Sequence, residues 1–162
     1  LLLAHDAEVN IINKDDETPL HLAIKKDNQE IIEGHNILAA RLLIEKGADV
    51  NAANRDGITP LLYLIHDYSL EKSNSMECLE LLLNHGANVN AMTLRPFEVN
   101  SAPLHLAVKK NDVTLVARLI SAGADINITN DIKETPLDYA RKLGHTEIIK
   151  LLEESCLSTT GK

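Results

Sequence analysis

Seven histidines and two cysteines are the side chains among these 162 residues that first invite a catalytic or metal-binding reading. Histidine transfers protons and ligates metals near neutral pH, and a cysteine thiolate is a nucleophile, but each needs a base, an acid or further ligands held within reach. Cys78 and Cys156 are too few and too far apart for a metal knuckle or a disulfide framework, and no Cys or Ser sits in a recognisable nucleophile motif. The sequence contains no Gly-rich phosphate loop, His-Glu-x-x-His pair or calcium loop. His35, His85 and His145 each stand beside a glycine near a helix end, where an imidazole covers loose backbone groups. His66 closes a helical stretch and is a candidate contact residue. From this set no catalytic residue, no metal and no cofactor is expected.

The composition narrows the partners. A formal net charge of -8 and a pI near 5.3 surround the chain with a field that repels nucleic-acid phosphate. One Phe, three Tyr and no Trp leave few platforms for stacking bases. Hydrophobic residues at 44% suffice for a buried core. No apolar run approaches the ~20 residues needed to cross a bilayer. The expectation is a soluble, monomeric, intracellular chain that binds neither nucleic acid nor membrane.

Two signals alternate along the sequence. One is a tetrapeptide, Thr18-Pro19-Leu20-His21, Thr59-Pro60-Leu61-Leu62, Ala102-Pro103-Leu104-His105 and Thr135-Pro136-Leu137-Asp138. Its Thr caps a helix, its Pro occupies the first helical position where no amide partner is needed, and its Leu starts a buried stripe. The other signal ends a helix with a left-handed glycine: Gly47-Ala48-Asp49-Val50-Asn51, Gly86-Ala87-Asn88-Val89-Asn90 and Gly123-Ala124-Asp125-Ile126-Asn127, with Asp6-Ala7-Glu8-Val9-Asn10 as a further copy. Between the two lie paired helical stretches, such as Pro103 to Lys110 and Val113 to Ala122, joined by Asn111-Asp112.

Thirty-three residues separate Ala102 from Thr135, and this period with the tetrapeptide resembles the ankyrin repeat. The resemblance implies an all-α repeat solenoid, a curved stack in which each repeat is a β-turn finger, an inner helix and an outer helix. Residues 1–157 read as one domain: a partial repeat at 1–10, repeats near 11–51, 52–90, 91–127 and 128–155, and a polar tail at 158–162. Residues 1–5 read as the tail of an outer helix, and the last copy as a final or nearly final repeat. The surplus length of the first two full repeats maps around 27–36 and 68–75, with a longer finger around 93–97. Leu64 stands where other copies carry Ala23, Ala107 and Ala140. Lys133 and Asn100 stand at the finger position of Gly57, and Asp6 replaces a helix-ending glycine.

The resemblance also assigns roles. His21 and His105 would hydrogen-bond to backbone between neighbouring fingers, and Cys78 would pack in an outer helix. The residues two turns into each inner helix would line a concave groove: Lys25, Lys26, His66, Asp67, Lys109, Lys110 and Lys142. The fingers would add Lys14, Asp15, Glu17, Arg55, Ile58, Arg95, Phe97, Asp131, Ile132 and Glu134. Asn51 and Asn127 resemble sites of asparaginyl hydroxylation in animal members. The implied function is a protein-interaction scaffold whose lysines prefer an acidic peptide segment. Two alternatives remain: a targeting module of a larger enzyme or effector, acting in the cytoplasm or a host cytosol, and an anion-binding module.

Overall fold

A computed structural model describes residues 8–25, 35–67, 73–94 and 101–160. Eight helices are present among them and no strand: α1 (Pro19–Ile24), α2 (His35–Glu45), α3 (Pro60–Asp67), α4 (Ser73–Asn84), α5 (Pro103–Lys109), α6 (Val113–Ser121), α7 (Pro136–Leu143) and α8 (Thr146–Thr160). They fall into two compact units, 1–88 and 89–162. In the first unit α1 packs on α2 and α3, while α4 packs on α2 and α3; in the second, α5 packs on α6 and α7, while α8 packs on α6 and α7. Each unit is thus a pair of helical hairpins laid side by side.

The helices start where the tetrapeptide puts a cap. Thr18 and Thr135 sit in extended backbone, accept from the amides of His21 and Asp138, and receive side-chain contacts back from those residues. In the Thr135 box, Asp138 Oδ2 accepts from Thr135 Oγ1 at 2.7 Å and from its amide at 3.0 Å. These bonds hold the Asp138 carboxyl below its ordinary range. The outer helices α2, α4 and α6 end at Gly47, Gly86 and Gly123, with φ of 89°, 80° and 90°. The amides of Ala48, Ala87 and Ala124 then reach back to the carbonyls of Leu43, Leu82 and Leu119 at 2.9, 3.0 and 2.9 Å. A Cβ at any of these glycines would meet no atom, so the left-handed backbone alone requires glycine there. Cys156 stands where the other copies have that glycine, and α8 runs to Thr160.

Buried leucines fill both units. Leu20, Leu61, Ile65, Leu79 and Leu82 are fully covered in the first, Leu104, Leu115, Leu119 and Ile148 in the second. Leu64 is accommodated at 6% exposure, and Cys78 is buried in α4 as a free thiol. Lys133 adopts the left-handed φ of 65° that Gly57 takes at 73°, a conformation that opposes its Cβ. Leu1 to Leu3, Asp6, Asn100 and most of the three inserted stretches lie outside the described residues.

Ala102 heads α5 with no hydroxyl to offer, so α5 has no side-chain cap. Its neighbour His105 is left with a buried, unpartnered Nδ1, whereas His21 Nδ1 meets Thr18 Oγ1 at 2.9 Å. Ala102→Thr is therefore expected to raise stability by ~1 kcal/mol, and Thr18→Ala to lower it by about as much. Urea midpoints measure both, and an Ala102→Thr midpoint at or below the parent's would show that His105 does not use the hydroxyl.

Candidate functional site

Every finger is closed by the same two-way clamp. The amide of Asn13 donates to the carbonyl of Glu17 at 3.1 Å while Asn13 Oδ1 accepts from the Glu17 amide at 3.0 Å. Asn54 and Ile58 do likewise at 3.1 and 2.9 Å, as do Asn130 and Glu134 at 3.1 and 2.9 Å. In the longer finger, Thr93 substitutes its hydroxyl: its amide reaches Ser101 O at 3.2 Å and its Oγ1 accepts from Ser101 N at 2.9 Å. The clamp places one residue just before each inner helix: Glu17, Ile58, Ser101 and Glu134.

The carbonyl of that residue also receives the preceding repeat. His21 Nε2 lies 2.9 Å from Ile58 O in the first unit, and His105 Nε2 lies 3.0 Å from Glu134 O in the second. Since the Thr18 amide donates to His21 Nδ1 at 3.1 Å, the proton of this imidazole sits on Nε2 and donates to Ile58. Burial lowers the pKa of both imidazoles and keeps them neutral. Asparagines at the outer helix ends make a second set of links. Asn10 Nδ2 donates to Gly47 O at 3.2 Å and Asn10 Oδ1 accepts from Asp49 N at 2.8 Å. Asn51 joins Gly86 and Asn88 in the same way, and Asn90 joins Gly123 and Asp125.

In the first unit the clamped carboxylate gathers a polar cluster. Glu17, 5% exposed, accepts from Tyr63 Oη at 2.6 Å and Lys25 Nζ at 3.1 Å through Oε1, and from Asn13 Nδ2 at 3.0 Å through Oε2. Lys25 Nζ also lies 5.4 Å from the centre of the Tyr63 ring, and that ring stands edge-on to His21 at 5.7 Å. Burial pushes the Glu17 carboxyl up, but the bonds from Tyr63, Asn13 and Lys25 and the charge of Lys25 overcome it and hold the carboxyl at about 2. Burial and Glu17 push the Tyr63 phenol above its ordinary value, so it remains a donor. In the second unit, Lys142 Nζ reaches Glu134 Oε1 at 2.9 Å, an ion pair that raises the lysine's pKa. Glu134 Oε2 is buried without a partner among the described residues.

The expected contact residues therefore separate. Lys14, His66, Lys109, Lys110, Asp131 and Ile132 are exposed. Arg55 is exposed and bridges to Asp15 at 3.4 Å. Lys25 and Lys142 are matched by Glu17 and Glu134, so they do not offer unbalanced charge. Two expectations are corrected. Glu17 is consumed by its cluster, and Ile58, 4% exposed, points into the stack with its backbone serving His21. Lys26, Arg95 and Phe97 lie outside the described residues, as does the side chain of Asp67. His85 Nδ1 donates to Leu81 O at 2.8 Å and so covers a loose helix-end carbonyl, whereas His145 Nε2 is buried without a partner. No group of three or more His, Cys, Asp or Glu able to hold a metal occurs among the described residues, and no helix among them is long and apolar enough to cross a membrane. Tyr63 and Asn13 were not singled out in the sequence, although the spacing was visible: a Glu just before the cap, a Lys eight residues on, and a Tyr in the next inner helix.

A family model for ankyrin repeats, spanning three copies, matches residues 1–93, 33–130 and 70–159. The chain is 33% identical over 144 residues to the mouse (Mus musculus) B-cell lymphoma 3 protein homolog, covering 88% of this chain and 28% of that protein. It is 39% identical over 102 residues to the putative ankyrin repeat protein FPV031 of Fowlpox virus, covering 62% and 27%. It is 34% identical over 113 residues to the probable E3 ubiquitin-protein ligase XBOS34 of Oryza sativa subsp. japonica, covering 70% and 21%. The chain thus spans between 21% and 28% of the length of these relatives.

The Glu17 cluster makes stability depend on acid. Its folded pKa of about 2 lies below the ordinary 4.5, so its contribution is fully present above pH 4.5, is lost as pH falls towards 2, and amounts to about 3 kcal/mol. The lowered pKa of His21 acts in the same direction. Tyr63→Phe raises the folded pKa of Glu17, so the variant is expected to lose stability at pH 7 and to show a shallower decline between pH 5 and 2.5. Parallel decline in both proteins, followed by urea unfolding across that range, would mean that the phenol does not hold the carboxylate.

Proposed function

Because the chain belongs to the ankyrin-repeat family, whose repeats are generally protein–protein interaction modules, we propose that it is a binding scaffold that engages another protein through its finger tips and the C-terminal ends of its inner helices. One observation carries this reading. The finger frame repeats bond for bond, while the exposed side chains mounted on it differ from repeat to repeat: Lys14 and Arg55 on the fingers, His66 on α3, Lys109 on α5 and Lys110 just after it. A constant frame with changing chemistry suits recognition of an extended partner. By sequence position Lys26 joins the proposed contact residues of the first unit and Arg95 and Phe97 those of the second, where Lys142 with Glu134 contributes a polar but balanced pair.

The partner segment is acidic in this reading, and its support narrows to α5, where Lys109 and Lys110 are both exposed. The chain acts as a monomer inside cells, in the cytosol or in a host cytosol, consistent with Cys78 and Cys156 forming no disulfide among the described residues. A second reading has a specific support. Relatives include a probable E3 ubiquitin-protein ligase of which this chain matches 21%, so the repeats could select a target for activity carried elsewhere in a longer protein. Capture of a small anion instead of a protein is the third and weakest reading.

Affinity capture from a lysate, compared between the parent chain, a Lys14→Glu/Arg55→Glu/His66→Ala/Lys110→Glu variant and an outer-helix Lys150→Gln/Glu154→Gln control, tests the scaffold reading. A protein retained by parent and control but reduced about tenfold or more in the surface variant is the expected result, since loss of even one buried charged contact at an interface is worth this much. Equal retention by all three would place the contact on another face.

A further inference from the structure

The second unit repeats the Glu17 cluster with its acid missing. In the first unit one carboxylate oxygen is held between Tyr63 Oη at 2.6 Å and Lys25 Nζ at 3.1 Å. Lys109 occupies the sequence position of Lys25 relative to the helix start, as the last residue of α5 where Lys25 is the extended residue just after α1, and Tyr139 occupies the position of Tyr63 on the next inner helix. The Tyr139 ring lies 6.4 Å from His105, tilted at 60°, where the Tyr63 ring stands edge-on to His21 at 5.7 Å and 82°. Ser101 replaces Glu17, and its finger is closed by the same two-way clamp, so the backbone that carried the acid in the first unit is fixed in the same way here while the carboxylate is absent. No hydrogen bond or ion pair from Lys109 Nζ or Tyr139 Oη is formed among the described residues. Lys109 is exposed and Tyr139 half-buried.

We propose that Lys109 and Tyr139 form a carboxylate seat that takes a glutamate side chain from the bound protein, in the manner in which Lys25 and Tyr63 take Glu17. The inference rests on the scaffold reading and deepens it, since it names the chemistry of one partner residue and the two groups that receive it. A cation and a neutral phenol converging on one oxygen give a charge-assisted pair with directional preference, which neither alone would supply on a surface. The chain demonstrates that this pair of donors holds a carboxylate when one is delivered by a clamped finger. Ser101 is too short to deliver it.

The probe is an acetylated, amidated hexaglutamate peptide, with hexaglutamine as control, titrated into isotope-labelled chain and followed by the NMR signals of the Tyr139 ring and the Lys109 amide. Saturable shifts with hexaglutamate alone are expected, weakened about tenfold in Lys109→Gln and in Tyr139→Phe. Tyr139→Phe keeps the ring on His105 and tests the phenol without emptying the packing. Ser101→Glu is expected to fill the seat from within, to abolish peptide binding and to raise the melting temperature, the rise disappearing when Tyr139→Phe is added. The proposal is overturned if neither signal moves, if the variants bind as the parent does, or if Ser101→Glu still binds. The two readings fail separately. A captured protein that Ser101→Glu and Tyr139→Phe retain leaves the scaffold standing without the seat, and peptide binding with no captured protein does the reverse.

Discussion

In two of the fingers one carbonyl oxygen carries the connection to the preceding repeat. Ile58 O and Glu134 O each accept the amide that closes their own finger and the imidazole of the repeat before. A buried carbonyl that lost the imidazole would be under-satisfied, and a buried imidazole that lost the carbonyl would strand a proton. Both costs fall together, so drift of the finger from the preceding inner helix is penalised on both sides of the bond. The asparagines at the outer helix ends repeat the principle on exposed backbone, where each bond is worth less.

This constraint decides where side-chain chemistry is placed. The residue just before each cap has its backbone fixed by the clamp, and only its side chain is free to vary. Where it is glutamate, it captures the lysine that would otherwise project from the end of the inner helix, as Glu17 captures Lys25 and Glu134 captures Lys142. Where it is isoleucine it joins the core, and where it is serine the neighbouring lysine stays exposed. The net charge of -8 therefore understates local variety, because the cations are balanced in some repeats and presented in others.

Much of the frame was legible in the sequence. Thr-Pro-Leu-His marked the start of α1, the helix-ending glycines marked the ends of α2, α4 and α6, and the roles of His21 and His105 followed from the resemblance. Side-chain pairing across sequence distance was harder to read. The lysines at helix ends looked equivalent because each local context favours a cation, while their partners lie in the finger or in the next inner helix. Ile58 was assigned to the finger edge because a tip and its base are adjacent in sequence, yet the clamp turns the base residue inward. Cys156 gave a cue in the opposite sense: without a glycine at that position the last outer helix had no reason to stop.

The imidazole tautomers test the central constraint most directly. Long-range nitrogen–proton NMR correlations at neutral pH should show His21 and His105 neutral, each with its proton on Nε2 and protected from exchange with water, because a carbonyl accepts at that atom. A proton on Nδ1, or rapid exchange at Nε2, would contradict the account: the fingers would then not be keyed to the preceding helices by these bonds.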